Sequence, residues 1–273
     1  ASHVQTSFHI EQHKMIPSEP LGQLSHQTKA MLALDNWLAT PAGAYFITRE
    51  QAWLDQAVND IFGFRAVQLG TRLIDGLRES RIPHKAYAAQ DISAQPDLCI
   101  DFENMPFESQ SIDLLVLPHV LEFSANPHQL LREAERVLMP EGRVILTGFN
   151  PTSLWGLRHW LFKRRWPVWP DGCTPLGIIR LKDWLKLLSL EPEIGRFGGY
   201  RFPSFSEKTL TRYQFMESAG DRWWPVCGGA YYLCAVKRVH GMRLVGPAFK
   251  KKKSSIKQLK PAAQKVTSKT STM

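Results

Sequence analysis

Cysteine is scarce in this chain: four in 273 residues, with no C-x-x-C pair and no histidine at zinc-finger spacing. A disulfide framework and a structural zinc site are therefore not expected. Cys99 and Cys234 fall in apolar, strand-like runs, where a free thiol behaves as a small hydrophobe. Long apolar runs are also missing, since none approaches the ~18–20 residues of a membrane span. The stretch Ala1 to Pro20 is polar, with His3, His9, His13, Glu11 and Glu19, and lacks the apolar character of a signal peptide, so a cytoplasmic location is expected. No G-x-G-x-x-G follows the first strand-like run, which argues against a nicotinamide-dependent oxidoreductase. No internal repeat is present.

Acidic residues are absent from Lys250 onward, where eight lysines fall: Lys250, Lys251, Lys252, Lys253, Lys257, Lys260, Lys265 and Lys269. They account for most of the net charge of +9; without them 26 basic residues face 25 acidic ones. The basicity therefore belongs to a tail, and the body is nearly neutral. A Ser/Thr/Lys/Ala/Gln segment buries too little apolar surface to offset its ordering entropy. The tail is either simply solvated or loosely attracted to nucleic acid or an anionic surface. The body, with a chain-wide hydrophobic fraction of 44%, is long enough to bury about 75% of its unfolded surface around one core. The expected organisation is a flexible segment over 1–24, an α/β domain over 25–240 and a disordered Lys-rich tail over 241–273.

Within the body, Gln27 to Leu38 carries Met31, Leu34 and Leu38 near helical spacing, and Thr40-Pro41-Ala42-Gly43 breaks it. Thr48-Arg49-Glu50-Gln51 has a capping-box pattern that predicts the start of a second helix. Arg65 to Gly70 reads as a short strand ending in glycine, and Leu73 to Glu79 as a short helix or turn. Lys85–Ala89 and Asp97–Ile100 follow as strands. Ile112 to Leu117 is nearly continuous in apolar residues, as in a strand buried on both faces of a parallel sheet. Asn126-Pro127 opens a helix as N-cap and first residue, with Leu130, Leu131, Ala134, Val137 and Leu138 on one face. Pro140-Glu141-Gly142 ends it before the strand Arg143 to Phe149. Further on, a Trp-rich helix is expected from Asn150 to about Arg165, an amphipathic helix around Leu181–Leu188, and a strand over Ile194–Phe202. A helix over Ser206–Ala219 and a last strand over Ala230–Val239 complete the body. Alternating strands and helices predict a doubly wound, mostly parallel sheet.

The run from Asp101-Phe102-Glu103-Asn104-Met105-Pro106-Phe107 to Ile112-Asp113-Leu114-Leu115-Val116-Leu117 resembles the third and fourth motifs of class I S-adenosylmethionine-dependent methyltransferases. Met139-Pro140-Glu141-Gly142-Arg143-Val144-Ile145-Leu146 is similar to the passage into their fifth strand. Gly148-Phe149-Asn150-Pro151 with Leu154-Trp155-Gly156-Leu157-Arg158 resembles a proteobacterial branch of that family without an assigned substrate. The resemblance spans roughly Trp53 to Arg238 and is strongest from Leu98 to Asn150. It implies a Rossmann-like, seven-stranded α/β fold, S-adenosylmethionine as cofactor and a methyl acceptor of unspecified class. Ligands in such sheets bind at the carboxyl ends of the strands, where the strand order reverses.

By motif position the resemblance implies cofactor contacts from Gln68, Gly70, Thr71, Asp91, Asp101, Phe102, Leu117 and Pro118. Asp101 would accept from the adenine amino group, with Phe102 beside the ring; an aspartate capping a loop turn is the alternative. Asp91 is the nearest acid for the ribose hydroxyls. His119, at the exit of the fourth strand, would serve as a general base toward a hydroxyl or amine, or else sit satisfied by backbone. The family's first motif is eroded: its acid and alternate glycines read Gln68, Gly70, Arg72 and Ile74 here. Arg72 and Ile74 do not readily adopt the positive φ or close approach that glycine allows. No Asn-Pro-Pro-Tyr sequence, the mark of many amino-methylating enzymes on nucleic acid, occurs. Trp155, Trp160, Lys163, Arg164, Arg165, Trp166 and Trp169 form an aromatic and basic group, read as core packing with snorkelling cations, base stacking or membrane-interface contact. The sequence leaves two functional readings: a methyltransferase, or a methyltransferase-like binding module whose chemistry has been lost.

Overall fold

The computed structural model describes residues 26–91, 94–162 and 168–239, which belong to one contact unit running to Val239. The expected N-terminal segment, the lysine tail, and Lys163, Arg164, Arg165 and Trp166 lie outside the described residues. Seven strands form one sheet: β1 (Arg65–Leu69), β2 (His84–Ala89), β3 (Leu98–Cys99), β4 (Ile112–Pro118), β5 (Leu138–Phe149), β6 (Leu190–Gly198) and β7 (Ala230–Lys237). Their order is β3-β2-β1-β4-β5-β7-β6. The first five run parallel, and β7 is inserted antiparallel between β5 and β6.

Helices α1 (His26–Leu38) and α2 (Pro41–Asn59) cover one face of the sheet, and α3 (Pro127–Val137) and α5 (Ile178–Leu187) the other. The period-2 geometry of a strand divides the apolar run of β4 between them. Leu114 and Val116 join the α1/α2 side with Ile74, Ile145, Phe149 and Tyr232, while Leu115 and Leu117 join the α3/α5 side with Leu69, Leu130 and Leu181. Helix α4 (Leu154–Phe162) follows β5, and α6 (Glu207–Arg212) and α7 (Phe215–Trp223) precede β7.

Several boundaries differ from the sequence expectation. Helix α2 begins at Pro41, with Thr40 as N-cap accepting from the Gly43 N–H at 3.2 Å. Thr48 is mid-helix, and its hydroxyl donates back to the Ala44 carbonyl at 2.8 Å, so the Thr48–Gln51 pattern caps nothing. Asn126 makes no side-chain cap; its amide donates instead to Glu103. The turn at Pro140–Gly142 is an irregularity within β5, where the register jumps from Ile112↔Leu138 to Leu114↔Arg143. Strand β6 lies earlier than Ile194–Phe202, and the helix expected over Ser206–Ala219 is broken into α6 and α7. Cys99 is exposed, because β3 is a two-residue strand at the sheet edge, whereas Cys234 is buried in β7.

The link from β1 to β2 contains no helix. It packs directly against α2: Gln51 donates to the Asp75 carbonyl and accepts from the Asp75 N–H, and Arg78 pairs with Asp55.

Candidate active site

Between β1 and β4 the strand order reverses, and the carboxyl ends of these strands open onto a crevice. Gly70 stands at the tip of β1 with φ +100°, and a Cβ there would come within 2.7 Å of Val120 Cγ2. Only glycine meets both demands. Gln68, two residues earlier on β1, is buried, and both its amide hydrogens are committed. Its Nε2 donates to the carbonyls of Thr71 (2.8 Å) and Ile74 (2.6 Å), and its Oε1 accepts from the Gly76 N–H at 2.8 Å. Gln68 thus shapes the following loop from within.

The two positions where glycine would be expected also have structural uses. Ile74 is fully buried among α2 residues. Arg72 lies over the Tyr87 ring, 5.3 Å from its centroid, and donates to the Gln95 carbonyl. Tyr87 in turn donates to the Gly70 carbonyl at 2.6 Å.

A cleft of about 120 Å³ lies at the tips of β1 and β2, lined among others by Thr28, Met31, Asp35, Gly70, Gln90, Asp91 and Phe102. It brings together Gly70, Asp91 and Phe102 from the sequence-derived set. Gln68, Thr71, Asp101, Leu117 and Pro118 do not line it. Thr71 is buried beside the cleft, its hydroxyl donating to Asp35 Oδ1 at 2.6 Å. Leu117 is packed on the α3/α5 side. Pro118 is buried at the end of β4, its carbonyl 3.5 Å from where a Gly70 Cβ would stand. The Asp101 carboxylate takes the Glu103 N–H at 3.0 Å and the Asn104 amide at 2.7 Å, an arrangement that holds its own loop.

Asp35 and Met31 were not picked out by sequence reasoning. Thr28, Met31 and Asp35 follow i, i+3, i+7 on α1 and form one stripe over the cleft. The signal was present as a polar residue on a helical stripe between apolar ones, but it reads equally as a solvent face.

His119 is fully buried, with φ +55°, and both ring nitrogens meet carboxylates: Nδ1 lies 2.8 Å from Glu122 Oε2 and Nε2 3.1 Å from Glu50 Oε2. Both ring nitrogens are thereby taken up by carboxylates, which leaves neither for a substrate. Burial by itself would lower the imidazole's basicity. The Glu50 charge, hydrogen bonds with both carboxylates and the Glu122 charge outweigh it, and His119 is pushed up to about 10. Burial also raises Glu122, offset in part by His119 and by the Phe149 N–H that bonds its other oxygen. The result is a buried imidazolium clamped between α2 and the β4 exit. Phe149 lies against the His119 ring at 4.2 Å and stacks on Trp169 at 5.7 Å.

Beyond the end of β5 a larger, mainly apolar groove of about 590 Å³ is lined by Pro151, Leu154, Leu157, Trp160, Trp169, Cys173 and neighbouring residues. Trp155 and Trp169 are buried, while Trp160 is 76% exposed. Trp155 donates to the Arg201 carbonyl at 2.9 Å. Packing therefore accounts for two tryptophans and not the third.

This sheet order, with a reversed penultimate strand and a crevice at the switch point, defines a domain of the class I methyltransferase type. Residues 81–146 match the family model described as a methyltransferase domain. The chain is 30% identical over 165 residues to the uncharacterized protein YafS of Escherichia coli (strain K12), covering 60% of this chain and 68% of that one. A methyltransferase of Haloferax volcanii, solved in complex with the Trm112 activator, superposes with a TM-score of 0.54 at 17% identity, over 78% of this chain and 99% of that one. A methyltransferase of Thermotoga maritima does so with 0.51 at 16% identity, over 71% and 93%. The chain belongs to the class I S-adenosylmethionine-dependent methyltransferases.

The donors around the cleft suit that family's cofactor, which carries an ammonium, a sulfonium and sugar hydroxyls. Asp35 and Asp91 are carboxylates, Phe102 and Met31 supply apolar wall, and Gly70 leaves the backbone bare. The volume is small against the roughly 300–1,000 Å³ of ligand pockets. Met31, Gln90 and Phe102 also line a second, minor cavity with Val120, Phe123 and Ser124, so the two spaces adjoin.

Proposed function

We propose that the protein transfers the methyl group of S-adenosylmethionine to an acceptor seated in the groove beyond β5. The observation that carries this is a cleft at the switch point lined by Gly70, Asp91 and Phe102, from the ends of β1, β2 and β3. When bound, S-adenosylmethionine supplies an electrophilic methyl carbon on a positively charged sulfur. Gly70 allows close approach at the β1 tip, Asp91 accepts from the sugar hydroxyls, and Phe102 covers the base. Such transfer depends chiefly on alignment of acceptor and methyl carbon. A dedicated base is not required, which accords with His119 being enclosed by Glu50 and Glu122. The apolar lining of the groove, with Trp160 and Leu157 exposed at its edge, suits an acceptor with substantial apolar surface.

A second reading, a methyltransferase-like binding module without catalysis, is favoured by Gln68 and Ile74, which serve packing and loop shape where the family carries an acid and a glycine. Its basic tail would contact nucleic acid or an acidic surface. Among the described residues no helix is long and apolar enough to cross a membrane. Calorimetric titration with S-adenosylmethionine and S-adenosylhomocysteine separates the two. Micromolar binding supports the enzyme, and absence of heat from folded protein transfers the argument to the module.

A further inference from the structure

The β1 position that carries an acid in the family is neutral here, and the buried Gln68 amide spends both donor hydrogens and one oxygen lone pair on the loop it encloses. A carboxylate nevertheless lines the cleft, brought by a different element. Asp35 projects from α1 and accepts from the Thr71 hydroxyl at 2.6 Å, one residue beyond Gly70. That hydroxyl also accepts from the Leu73 N–H at 3.2 Å, so the main chain of the β1–β2 link orients the carboxylate. Among the described residues no basic side chain forms an ion pair with Asp35.

We propose that Asp35 receives the ammonium group of the cofactor's amino-acid portion, a counter-charge supplied by α1 in place of β1. The inference rests on the methyl-transfer reading of the cleft. A half-buried carboxylate without a cation is costly to keep in a fold, since desolvation penalises its charged form. That penalty acts on Asp35, whose pKa is raised by burial and lowered again only by the Thr71 hydrogen bond. An ammonium from the ligand supplies the missing partner. Met31, one turn earlier on the same stripe, forms the adjoining apolar wall, so α1 would contact both the charged and the apolar parts of the ligand.

The test compares two ligands that differ in the group concerned. S-adenosylhomocysteine carries the ammonium; 5′-methylthioadenosine shares its adenosine and thioether but lacks the amino-acid portion. Both are titrated calorimetrically into the full chain and into Asp35→Asn, which preserves an acceptor for Thr71. The expected result is a tenfold or greater loss of S-adenosylhomocysteine affinity, the scale of one hydrogen bond between charged groups. Affinity for 5′-methylthioadenosine should change less than about twofold on the same scale. Unchanged S-adenosylhomocysteine binding by Asp35→Asn overturns the assignment, as does equal weakening or joint loss of both ligands. Failure of the unaltered chain to bind either ligand overturns the methyl-transfer reading itself, and so is distinguishable from failure of Asp35 alone.

Discussion

Replacement of His119 by glutamine should destabilise the fold by about 3–5 kcal/mol, the range for breaking a buried ion pair from one side. The imidazolium is fully enclosed and bridges two carboxylates that approach it from opposite directions, Glu50 at 3.1 Å and Glu122 at 2.8 Å. Glutamine can satisfy at most part of this and carries no charge, so two buried carboxylates are left facing one another. Glu50 Oε1 already has no hydrogen-bond partner among the described residues, and so little compensation is available there. For a domain of this size each kcal/mol corresponds to roughly 2–4 °C in Tm, which gives a fall of about 6–20 °C.

The pH dependence follows from the direction of the shift. The folded value is raised to about 10 against 6.5 for the free side chain. The contribution is therefore complete below pH 6.5 and is lost as the pH rises through about 10. Across that interval it makes the unaltered protein lose up to about 1.4 kcal/mol per pH unit. Urea melts at pH 7 and pH 9.5 measure both effects. The triple variant Glu50→Gln, His119→Gln, Glu122→Gln, which removes the stranded charges, should recover part of the loss. A His119→Gln protein with unchanged Tm at pH 7 and the same pH slope as its parent would show that the cluster is not ionised as described.

Three further substitutions probe other joints of the structure. Gly70→Ala places a Cβ at positive φ and 2.7 Å from Val120 Cγ2, and should cost about 1–3 kcal/mol in chemical denaturation while weakening S-adenosylhomocysteine binding. Asp113→Ala removes the carboxylate oxygen that takes the Phe64 and Arg65 N–H groups at 2.8 and 2.9 Å; a loss of about 1.5–3 kcal/mol in urea melts is expected. Lys237→Met deletes a nearly buried ammonium that donates to the Leu138 carbonyl at 3.0 Å and pairs with Glu135 at 2.8 Å. It should lower Tm by several degrees, and an unchanged melting curve would mean the cation contributes nothing net.

The parts of the fold legible in the sequence are those whose pattern is local. Strand β4 shows as an apolar run and α3 as an apolar stripe, and the motif resemblance from Leu98 to Asn150 covers the half of the sheet where local and family signals agree. Strand β6 is not legible because it is an edge strand with mostly solvent-facing residues, so neither alternation nor an apolar run marks it. The start of α2 is hidden because Gly43 packs against the end of α1 and is tolerated in a first turn for that tertiary reason. Of the candidate site, Gly70, Asp91 and Phe102 line the cleft and stand at positions that the family resemblance implies. Asp35 does not, since its meaning depends on Thr71, 36 residues away. Glu50 was read as part of a helix start, and nothing local connects it to His119, 69 residues on.

The stacking of Trp53 on Tyr232, at 5.4 Å between ring centroids, joins α2 to the last strand across 179 residues. At a synthesis rate of about 5–20 residues per second, roughly 10–35 s separate the emergence of the two rings. During that interval the apolar side of α2 has no β7 to cover it, and the antiparallel half of the sheet cannot close. Closure of this sheet on the ribosome thus waits for β7, and until then Trp53 lacks the ring on which it stacks.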